Sequence, residues 1–184
     1  MVDKVSIVTG AARGIGLATS KLFISEGYQV VMVDRDADQL MLESEKLERS
    51  YPIVCDVAIE AEVKDMMFSV TEKMGRLDCI VNNAGVAEFD PIENVDLEKW
   101  RRVMSTNLDG VFLCSQFAIP LLKQSKGSIV NIASISGLRA STLRVAYGTS
   151  KAAVIQLTKQ QAVELGEFSI RSNCVAPGPV RTKL

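Results

Sequence analysis

The sequence Lys4-Val-Ser-Ile-Val-Thr-Gly10-Ala-Ala-Arg-Gly14-Ile-Gly16 joins a Val- and Ile-rich run to a second apolar pattern that continues to Phe23. The first run is short and ends at a glycine, which is typical of a buried β-strand. The apolar residues after Gly16 recur at helical intervals. The stretch therefore predicts a strand, a glycine loop and a helix in succession.

The glycine loop has the properties of an anion-binding turn. Glycine permits positive φ angles and lets the backbone come close to a pyrophosphate, while the first N–H groups and the dipole of the next helix attract negative charge. The spacing is Gly-x-x-x-Gly-x-Gly, which differs from the Gly-x-Gly-x-x-Gly pattern of dinucleotide-binding proteins. A tight turn that binds no ligand is the alternative interpretation.

A second predicted strand, residues 28–33, ends at Asp34. In a dinucleotide fold a carboxylate at this place accepts hydrogen bonds from the adenosine ribose, whereas a 2′-phosphate would meet like charge. That repulsion is of order 4 kcal/mol per charge pair at about 4 Å and an effective dielectric constant of about 20. Arg13 and Arg35 lie close enough in sequence to offset part of it, so the pattern favours NAD over NADP. The alternative role for Asp34 is the N-cap of a helix over residues 37–47.

Strand and helix patterns alternate along the whole chain. Such alternation predicts parallel strands joined by right-handed helical crossovers, which form a doubly wound α/β sheet with helices on both faces, a Rossmann-like three-layer fold. The chain has 184 residues, 47% of them hydrophobic, and no Pro-, Gly- or Ser-rich linker. We therefore expect a single domain over residues 1–184. The predicted strands lie near Val5, Val30, Ile53, Ile80, Ile129 and Asn173.

The chain contains no histidine, so a general acid or base that works near neutral pH must be another residue. Tyr147 and Lys151 share a face if their segment is helical, which the apolar spacing of residues 152–165 supports. An ammonium group beside a phenol stabilises the phenolate and makes the phenol a stronger acid. Ser134 follows the apolar run 129–132 and lies thirteen residues before Tyr147. The alternative is a packed tyrosine ring and a solvated lysine.

Charge and composition argue against several other classes of protein. The net charge is −1, without a basic stripe or an aromatic platform, which argues against nucleic-acid binding. No apolar run approaches the roughly 18 residues of a membrane span, and the N-terminus leads directly into a strand, so we expect a cytoplasmic protein. The four cysteines form no Cys-x-x-Cys pair, which predicts reduced thiols and no metal site.

Six elements of the sequence, in this order, resemble the short-chain dehydrogenase/reductase family. They are Thr9-Gly10-x-x-x-Gly14-Ile15-Gly16, Asn82-Asn83-Ala84-Gly85, Asn107, Ser134, Tyr147-x-x-x-Lys151 and Pro177-Gly178. Together they span nearly the whole chain and are far more specific than any single motif. The resemblance implies the strand order 3-2-1-4-5-6 and an NAD(H)-dependent interconversion of a secondary alcohol and a ketone.

The resemblance also implies a role for each member of a catalytic group. Tyr147 is the expected general acid in ketone reduction and the general base in alcohol oxidation, and Ser134 orients the reacting oxygen. Lys151 acidifies the tyrosine and holds the nicotinamide ribose. Asn107 is expected to bind a water molecule that links Lys151 to solvent. The hydride moves between the nicotinamide and the substrate carbon.

Cofactor contacts are implied in the same way. Asp56 and Val57 are expected beside the adenine, the loop 82–85 beside the adenosine ribose, and Val180 and Thr182 beside the nicotinamide carboxamide. Each has a structural alternative, which is a helix cap for Asp56 and a simple turn for the loops. The full expected set is Gly10, Arg13, Gly14, Ile15, Gly16, Asp34, Asp56, Val57, Asn83, Ala84, Gly85, Tyr147, Lys151, Pro177, Gly178, Val180 and Thr182.

A long helical segment predicted from Asp96 onward carries apolar residues on more than one face between positions 103 and 122. In the resembled family the corresponding helices pair between subunits, which implies a homodimer or homotetramer; burial within one subunit is the alternative. Pro120 is expected to kink or end the helix, since it lacks a backbone donor. The apolar residues concerned are Val111, Phe112, Leu113, Phe117 and Ile119.

Members of the resembled family usually run to about 250 residues. We therefore expect this sequence to lack the family's last strand and the lid over the substrate, which carry most of the substrate specificity. The alternative function is a non-catalytic dinucleotide-binding module that responds to redox state. A methyltransferase with a similar sheet is disfavoured, because it explains neither Ser134 nor the Tyr147–Lys151 pair.

Overall fold

A computed structural model describes residues 4–181. Strands and helices alternate along this part of the chain, with short irregular connections between them. The strands are β1 Val5–Thr9, β2 Gln29–Asp34, β3 Ser50–Val54, β4 Cys79–Asn82, β5 Ser128–Ile132 and β6 Arg171–Val175. The α-helices are α1 Gly14–Ser25, α2 Ala37–Ser44, α3 Glu60–Met74, α4 Leu97–Met104, α5 Gly110–Ser125 and α6 Val145–Leu165.

The strands form one parallel sheet in the order β3-β2-β1-β4-β5-β6. This order confirms the doubly wound, Rossmann-like fold that the alternating pattern predicts. Each predicted strand is present, with its ends shifted by a residue or two. The shifts arise because pairing with neighbouring strands decides where a strand ends, whereas an apolar run marks only its buried part.

The central strands are buried on both faces, as parallel strands covered by helices must be. Ile7 of β1 and Val31 of β2 belong to a core that also contains residues of α3, α5 and α6. Val8 and Met32, which point to the opposite face, pack with residues of α1 and α2. The helices therefore form two layers with the sheet between them.

A chain of buried amides fastens the middle of the sheet to α6. Asn82 and Asn131 are register partners on β4 and β5, and Asn82 Nδ2 donates to Asn131 Oδ1 at 2.8 Å. Asn131 Nδ2 in turn donates to Thr158 Oγ1 and to Gln161 Oε1, both at 2.9 Å. Since these groups are shielded from water, each partner that is lost leaves a buried polar group unsatisfied.

The segment after β4 is not one regular helix. α4 ends at Met104, the residues Ser105–Asp109 form a π-helical turn, and α5 starts at Gly110. The helix does not end at Pro120 but continues to Ser125. Pro120 and Gln116, whose carbonyl loses its usual donor, are both exposed, so solvent can hydrogen-bond that carbonyl and the helix tolerates the proline.

The apolar residues of α5 are mostly covered within the same subunit. Val111 is buried, and Leu113, Phe117 and Ile119 pack against the core of the α3–α5 face. Phe112 alone among the five residues named above stays open, with 46% of its surface exposed. Burial within the subunit thus accounts for four of the five, and the homodimer or homotetramer stays a prediction.

We expect Asn131→Ala to lower the free energy of unfolding by about 2 to 4 kcal/mol, because it opens a small cavity and removes partners from buried amides. Asn173→Ala on the neighbouring strand β6 is the control, since Asn173 is exposed and its loss should cost less than about 0.5 kcal/mol. Urea denaturation of both variants measures the difference. Equal midpoints would contradict a stabilising role for the buried amides.

Candidate active site

One large cavity, of about 1050 Å³, runs along the edge of the sheet where the strands end. In open parallel sheets this edge is where ligands bind. Among the residues singled out in the sequence, Gly16 and Asn107 do not line the cavity, and Thr182 lies outside the described residues. Those that do line it are Gly10, Arg13, Gly14, Ile15, Asp34, Asp56, Val57, Asn83, Ala84, Gly85, Ser134, Tyr147, Lys151, Pro177, Gly178 and Val180.

The glycine loop turns tightly between β1 and α1. Gly10 and Gly14 have φ angles of +65° and +53°, which residues with a Cβ adopt only at a cost. α1 starts at Gly14 and its first turn carries no acidic residue, so its N-terminal N–H groups and dipole face the cavity without a competing carboxylate. Gly16 lies behind the loop, where a Cβ would stand 2.1 Å from the Gly10 carbonyl oxygen. Its absent side chain therefore lets the helix pack against the loop.

Side chains from two strands hold the glycine loop in place. The Thr9 hydroxyl accepts the backbone N–H groups of Asn83 and Ala84, each at 3.0 Å. Asn83 Nδ2 donates to the carbonyls of Thr9 at 2.9 Å and Gly10 at 3.2 Å. The ends of β1 and β4 are thus cross-linked in both directions, and this gives the predicted Asn82–Gly85 segment a definite structural role.

Asp34 lies at the end of β2 and does not cap the following helix. Asp34 Oδ2 accepts the Ala12 N–H at 3.0 Å and Oδ1 accepts the Asp36 N–H at 3.1 Å. The N-cap of α2 is Asp36, which accepts the Gln39 N–H at 3.1 Å. The cap interpretation of Asp34 is therefore wrong, because the acid two residues later takes that place.

The two arginines near Asp34 are engaged with other carboxylates. Arg13 forms an ion pair with Asp36; the Gln39 N–H and this guanidinium hold the pKa of Asp36 below its ordinary value. Arg35 Nη1 lies 3.5 Å from Asp56 Oδ2. Asp56 also accepts the Ala58 N–H at 3.0 Å, so it closes a local turn and does not cap α3, whose N-cap is Ile59.

Ser134, Tyr147 and Lys151 line the other end of the cavity. Ser134 follows β5 and its Oγ accepts the Ser136 N–H at 3.2 Å. Tyr147 and Lys151 lie one turn apart on α6, and Lys151 Nζ is 5.8 Å from the centroid of the Tyr147 ring. Lys151 is 3% exposed, and its Nζ donates to the Ile132 carbonyl at 2.8 Å. Burial lowers the pKa of Lys151 to about 8.

Asn107 lies behind the cavity, in the π-helical turn. Its Oδ1 accepts the Val86 N–H at 2.8 Å, while its Nδ2 donates to the Val86 carbonyl at 2.9 Å and to Ser150 Oγ at 3.0 Å. A Cβ on Gly85 would lie 3.3 Å from Asn107 Oδ1 and 3.4 Å from Lys151 Nζ. Both polar groups therefore face the same glycine, which leaves the space between them free of side-chain atoms. A π-turn is a frequent feature of functional sites.

Several lining residues are absent from the set drawn from the sequence, and two of them stand beside Tyr147 or Arg144. Phe89 lies on the loop after β4, and Arg144 directly precedes α6. Arg144 is three residues before Tyr147, and this helical spacing could have marked it as a neighbour of the tyrosine. No cluster of three possible metal ligands occurs within residues 4–181. Over the same range, no helix is long and apolar enough to span a membrane.

Comparison with known proteins identifies relatives of the whole chain. A model of the short chain dehydrogenase family matches residues 4–184. L-fucose dehydrogenase from Oryctolagus cuniculus is 36% identical over 182 residues, which are 98% of this chain and 64% of the relative. Meso-2,3-butanediol dehydrogenase from Serratia marcescens is 38% identical over 184 residues, which are 99% of this chain and 73% of the relative.

A solved structure agrees with these sequence matches. The crystal structure of 3-ketoacyl-(acyl-carrier-protein) reductase from Brucella melitensis complexed with NADH superimposes with a TM-score of 0.95 at 30% identity, over 100% of this chain and 79% of that protein. The chain thus spans about two thirds to four fifths of the length of these relatives. Because the family model extends over almost the entire sequence, the chain belongs to the short chain dehydrogenase family.

Proposed function

We propose that this chain is an NAD(H)-dependent oxidoreductase, or the main part of one, that interconverts a secondary alcohol and a ketone. The observation that carries the proposal is the single cavity with the glycine loop at one end and Ser134, Tyr147 and Lys151 at the other. Relatives named as dehydrogenases of L-fucose and meso-2,3-butanediol, and a reductase solved with NADH, support the same class of reaction.

The adenosine half of the cofactor is expected at the end of the cavity that holds the glycine loop and Asp34, which we call the adenosine end. The residues there favour NAD over NADP. Asp34 lines the cavity and accepts backbone N–H groups, so its carboxylate is held in place beside the expected ribose. Arg13 and Arg35, which could neutralise a 2′-phosphate, are paired with Asp36 and Asp56. A 2′-phosphate would meet a carboxylate whose neighbouring cations are engaged, whereas ribose hydroxyls can donate to that carboxylate.

Ser134 and Tyr147 carry the proton chemistry of the proposed reaction. When bound, a nicotinamide ring accepts or supplies the hydride at the substrate carbon. In alcohol oxidation the Tyr147 phenolate takes the hydroxyl proton, and in ketone reduction the phenol returns it to the oxygen. Since Ser134 Oγ accepts the Ser136 N–H, its own O–H stays available to donate to the substrate oxygen.

Lys151 supplies the positive charge behind the tyrosine. With a pKa of about 8, most of its amine is protonated at pH 7. One of its three N–H donors is used by the Ile132 carbonyl, which leaves two for the ribose hydroxyls and for the space beside Gly85. Its Nζ lies 5.8 Å from the centroid of the Tyr147 ring, so in the proposed reaction the charge stands beside the general acid.

We expect Tyr147→Phe to lower turnover about a hundredfold or more, because it removes the general acid, and to leave NADH affinity nearly unchanged. Tyr51→Phe is the matched control, since Tyr51 lies on β3 and its hydroxyl is directed to Ser69. NADH absorbance follows turnover, and fluorescence titration measures affinity. Turnover retained in Tyr147→Phe would rule out the assigned acid. NADH binding by a wild type that turns over no alcohol or ketone would favour the non-catalytic module.

We expect Asp34→Ala to weaken NAD binding and to narrow the preference for NAD over NADP. A carboxylate is lost that accepts from ribose hydroxyls and repels a 2′-phosphate by up to a few kcal/mol. Asp38→Ala, on the exposed side of α2, is the control for loss of one negative charge. Titration of both cofactors into the three proteins measures the ratio of dissociation constants, and an unchanged ratio in Asp34→Ala would count against the ribose contact.

We expect Lys151→Met to abolish most turnover and yet raise the free energy of unfolding at pH 7 by up to about 3 kcal/mol, because it removes a buried charge. The pKa of Lys151 is lowered from 10.5 to about 8 in the folded chain, so unfolding takes up a proton between these values. The wild-type free energy of unfolding therefore rises as pH increases through that window. The difference in free energy of unfolding between Lys151→Met and wild type becomes smaller over the same window.

Denaturation at pH 7, 8, 9 and 10 measures both effects of the lysine. Lys159→Met is the control, because Lys159 lies on the exposed side of the same helix and should change stability by less than about 0.5 kcal/mol. A Lys151→Met protein that is less stable than wild type at pH 7 would show that the ammonium is a net stabilising group.

A further inference from the structure

The two ends of the cavity differ in charge. At the adenosine end, two carboxylates and two guanidinium groups line the wall and largely offset one another. At the catalytic end, the charged lining residues are Arg139, Arg144 and Lys151, and no carboxylate from residues 4–181 lines the wall there. A confined site that ends in uncompensated cations attracts an anion.

Two carboxylates on the loop that forms a backbone bridge with Arg144 are engaged by other cations. The backbone of Asp90 forms a bridge with that of Arg144, but the Asp90 carboxylate pairs with Lys99 of α4 at 2.9 Å. Glu88 on the same loop pairs with Arg102 of α4. Within the described part of the chain, Arg144 therefore has no carboxylate partner.

The Arg144 guanidinium lies close to two aromatic rings. Its Cζ lies 4.9 Å from the centroid of the Phe89 ring and 5.9 Å from that of the Tyr147 ring. A guanidinium held over a ring by its face still has the N–H donors of its edge available. Arg144 and both aromatic residues line the cavity, so the guanidinium group belongs to the cavity wall beside Tyr147.

The position of Arg144 limits what it can bind. In the proposed reaction the Tyr147 hydroxyl meets the oxygen on the reacting carbon, and Arg144 stands beside the same ring. A group bound by Arg144 is therefore only a few bonds away from that carbon. A guanidinium edge binds a carboxylate through two parallel hydrogen bonds, a geometry that a neutral amide cannot match.

We propose that the substrate is a short hydroxy acid or oxo acid whose carboxylate is bound by Arg144, which makes Arg144 a specificity residue. The inference rests on the proposed function, because the reacting carbon is placed by Tyr147 and Ser134. Arg139, exposed on the same rim, adds positive charge without a fixed position. An Arg144 that acted only on the phenol of Tyr147 would instead affect charged and neutral substrates equally.

Matched acids and amides test the inference. The oxidation of 3-hydroxybutanoate and 4-hydroxypentanoate is compared with that of 3-hydroxybutanamide and 4-hydroxypentanamide. The proteins are wild type, Arg144→Gln, Arg144→Lys and Arg171→Gln. Arg171 is the control for loss of one positive charge, since it is exposed at the start of β6 and is not among the cavity-lining residues. Calorimetric titration of the same compounds, with and without NADH, measures binding independently of turnover.

We expect wild type to prefer the better acid over its amide by about 10- to 100-fold in kcat/KM, the range of a hydrogen-bonded charge pair. Arg144→Gln should bring this ratio close to one, mainly because the KM of the acid rises. Arg144→Lys should keep an intermediate ratio, because it retains the charge but not the planar fork. Arg171→Gln should keep the wild-type ratio.

Three results would overturn the inference: a wild-type ratio near one, equal losses for acid and amide in Arg144→Gln, or no binding of either acid. Its failure is distinguishable from failure of the proposed function. Acids that bind through Arg144 without forming NADH would contradict the proposed oxidation and would leave only the carboxylate contact of Arg144 standing. If acids and amides are oxidised equally well, the role of Arg144 is refuted and the proposed oxidoreductase stands.

Discussion

The parallel direction of the strands is the constraint on which the rest of the structure depends. Strands that all point the same way deliver their carboxyl ends to one edge of the sheet, and the loops after β1 to β5 line one cavity there. A glycine loop near position 10 and a Ser-Tyr-Lys group more than a hundred residues later thereby share one site. No long connection is needed, because the crossover helices already return the chain to the opposite edge after each strand.

The same burial that builds the sheet sets the chemistry of Lys151. Water is excluded around its ammonium by α6 and the end of β5, and this exclusion lowers its pKa. The buried Lys151 ammonium opposes folding, but its charge is useful beside the Tyr147 phenol. Such a conflict between stability and activity is common at active sites. Asn107, in the π-turn, hydrogen-bonds both backbone groups of Val86 beside this lysine.

Apolar periodicity in the sequence was sufficient to predict the strands, whereas their order and most of the predicted site residues followed from the resemblance to the dehydrogenase family. The sequence could not show the π-turn at 105–109, since one extra residue in a helical turn leaves the apolar spacing almost unchanged. Asp34 and Asp36 both fit a helix cap by residue type, and only the hydrogen bonds distinguish them. The spacing of Arg144 from Tyr147 was visible, but its lack of a carboxylate partner depends on tertiary contacts of α4.

The double cross-link between Thr9 and Asn83 has a consequence for the kinetics of ligand exchange. The bonds join backbone and side-chain atoms of the protein itself, so this wall of the cavity is held by the protein's own contacts. Binding of a nucleotide does not have to order a protein segment there. The entropic cost of such ordering therefore does not reduce the affinity. This wall is preorganised. We therefore expect a nucleotide to bind and to leave at the adenosine end without movement of the backbone there.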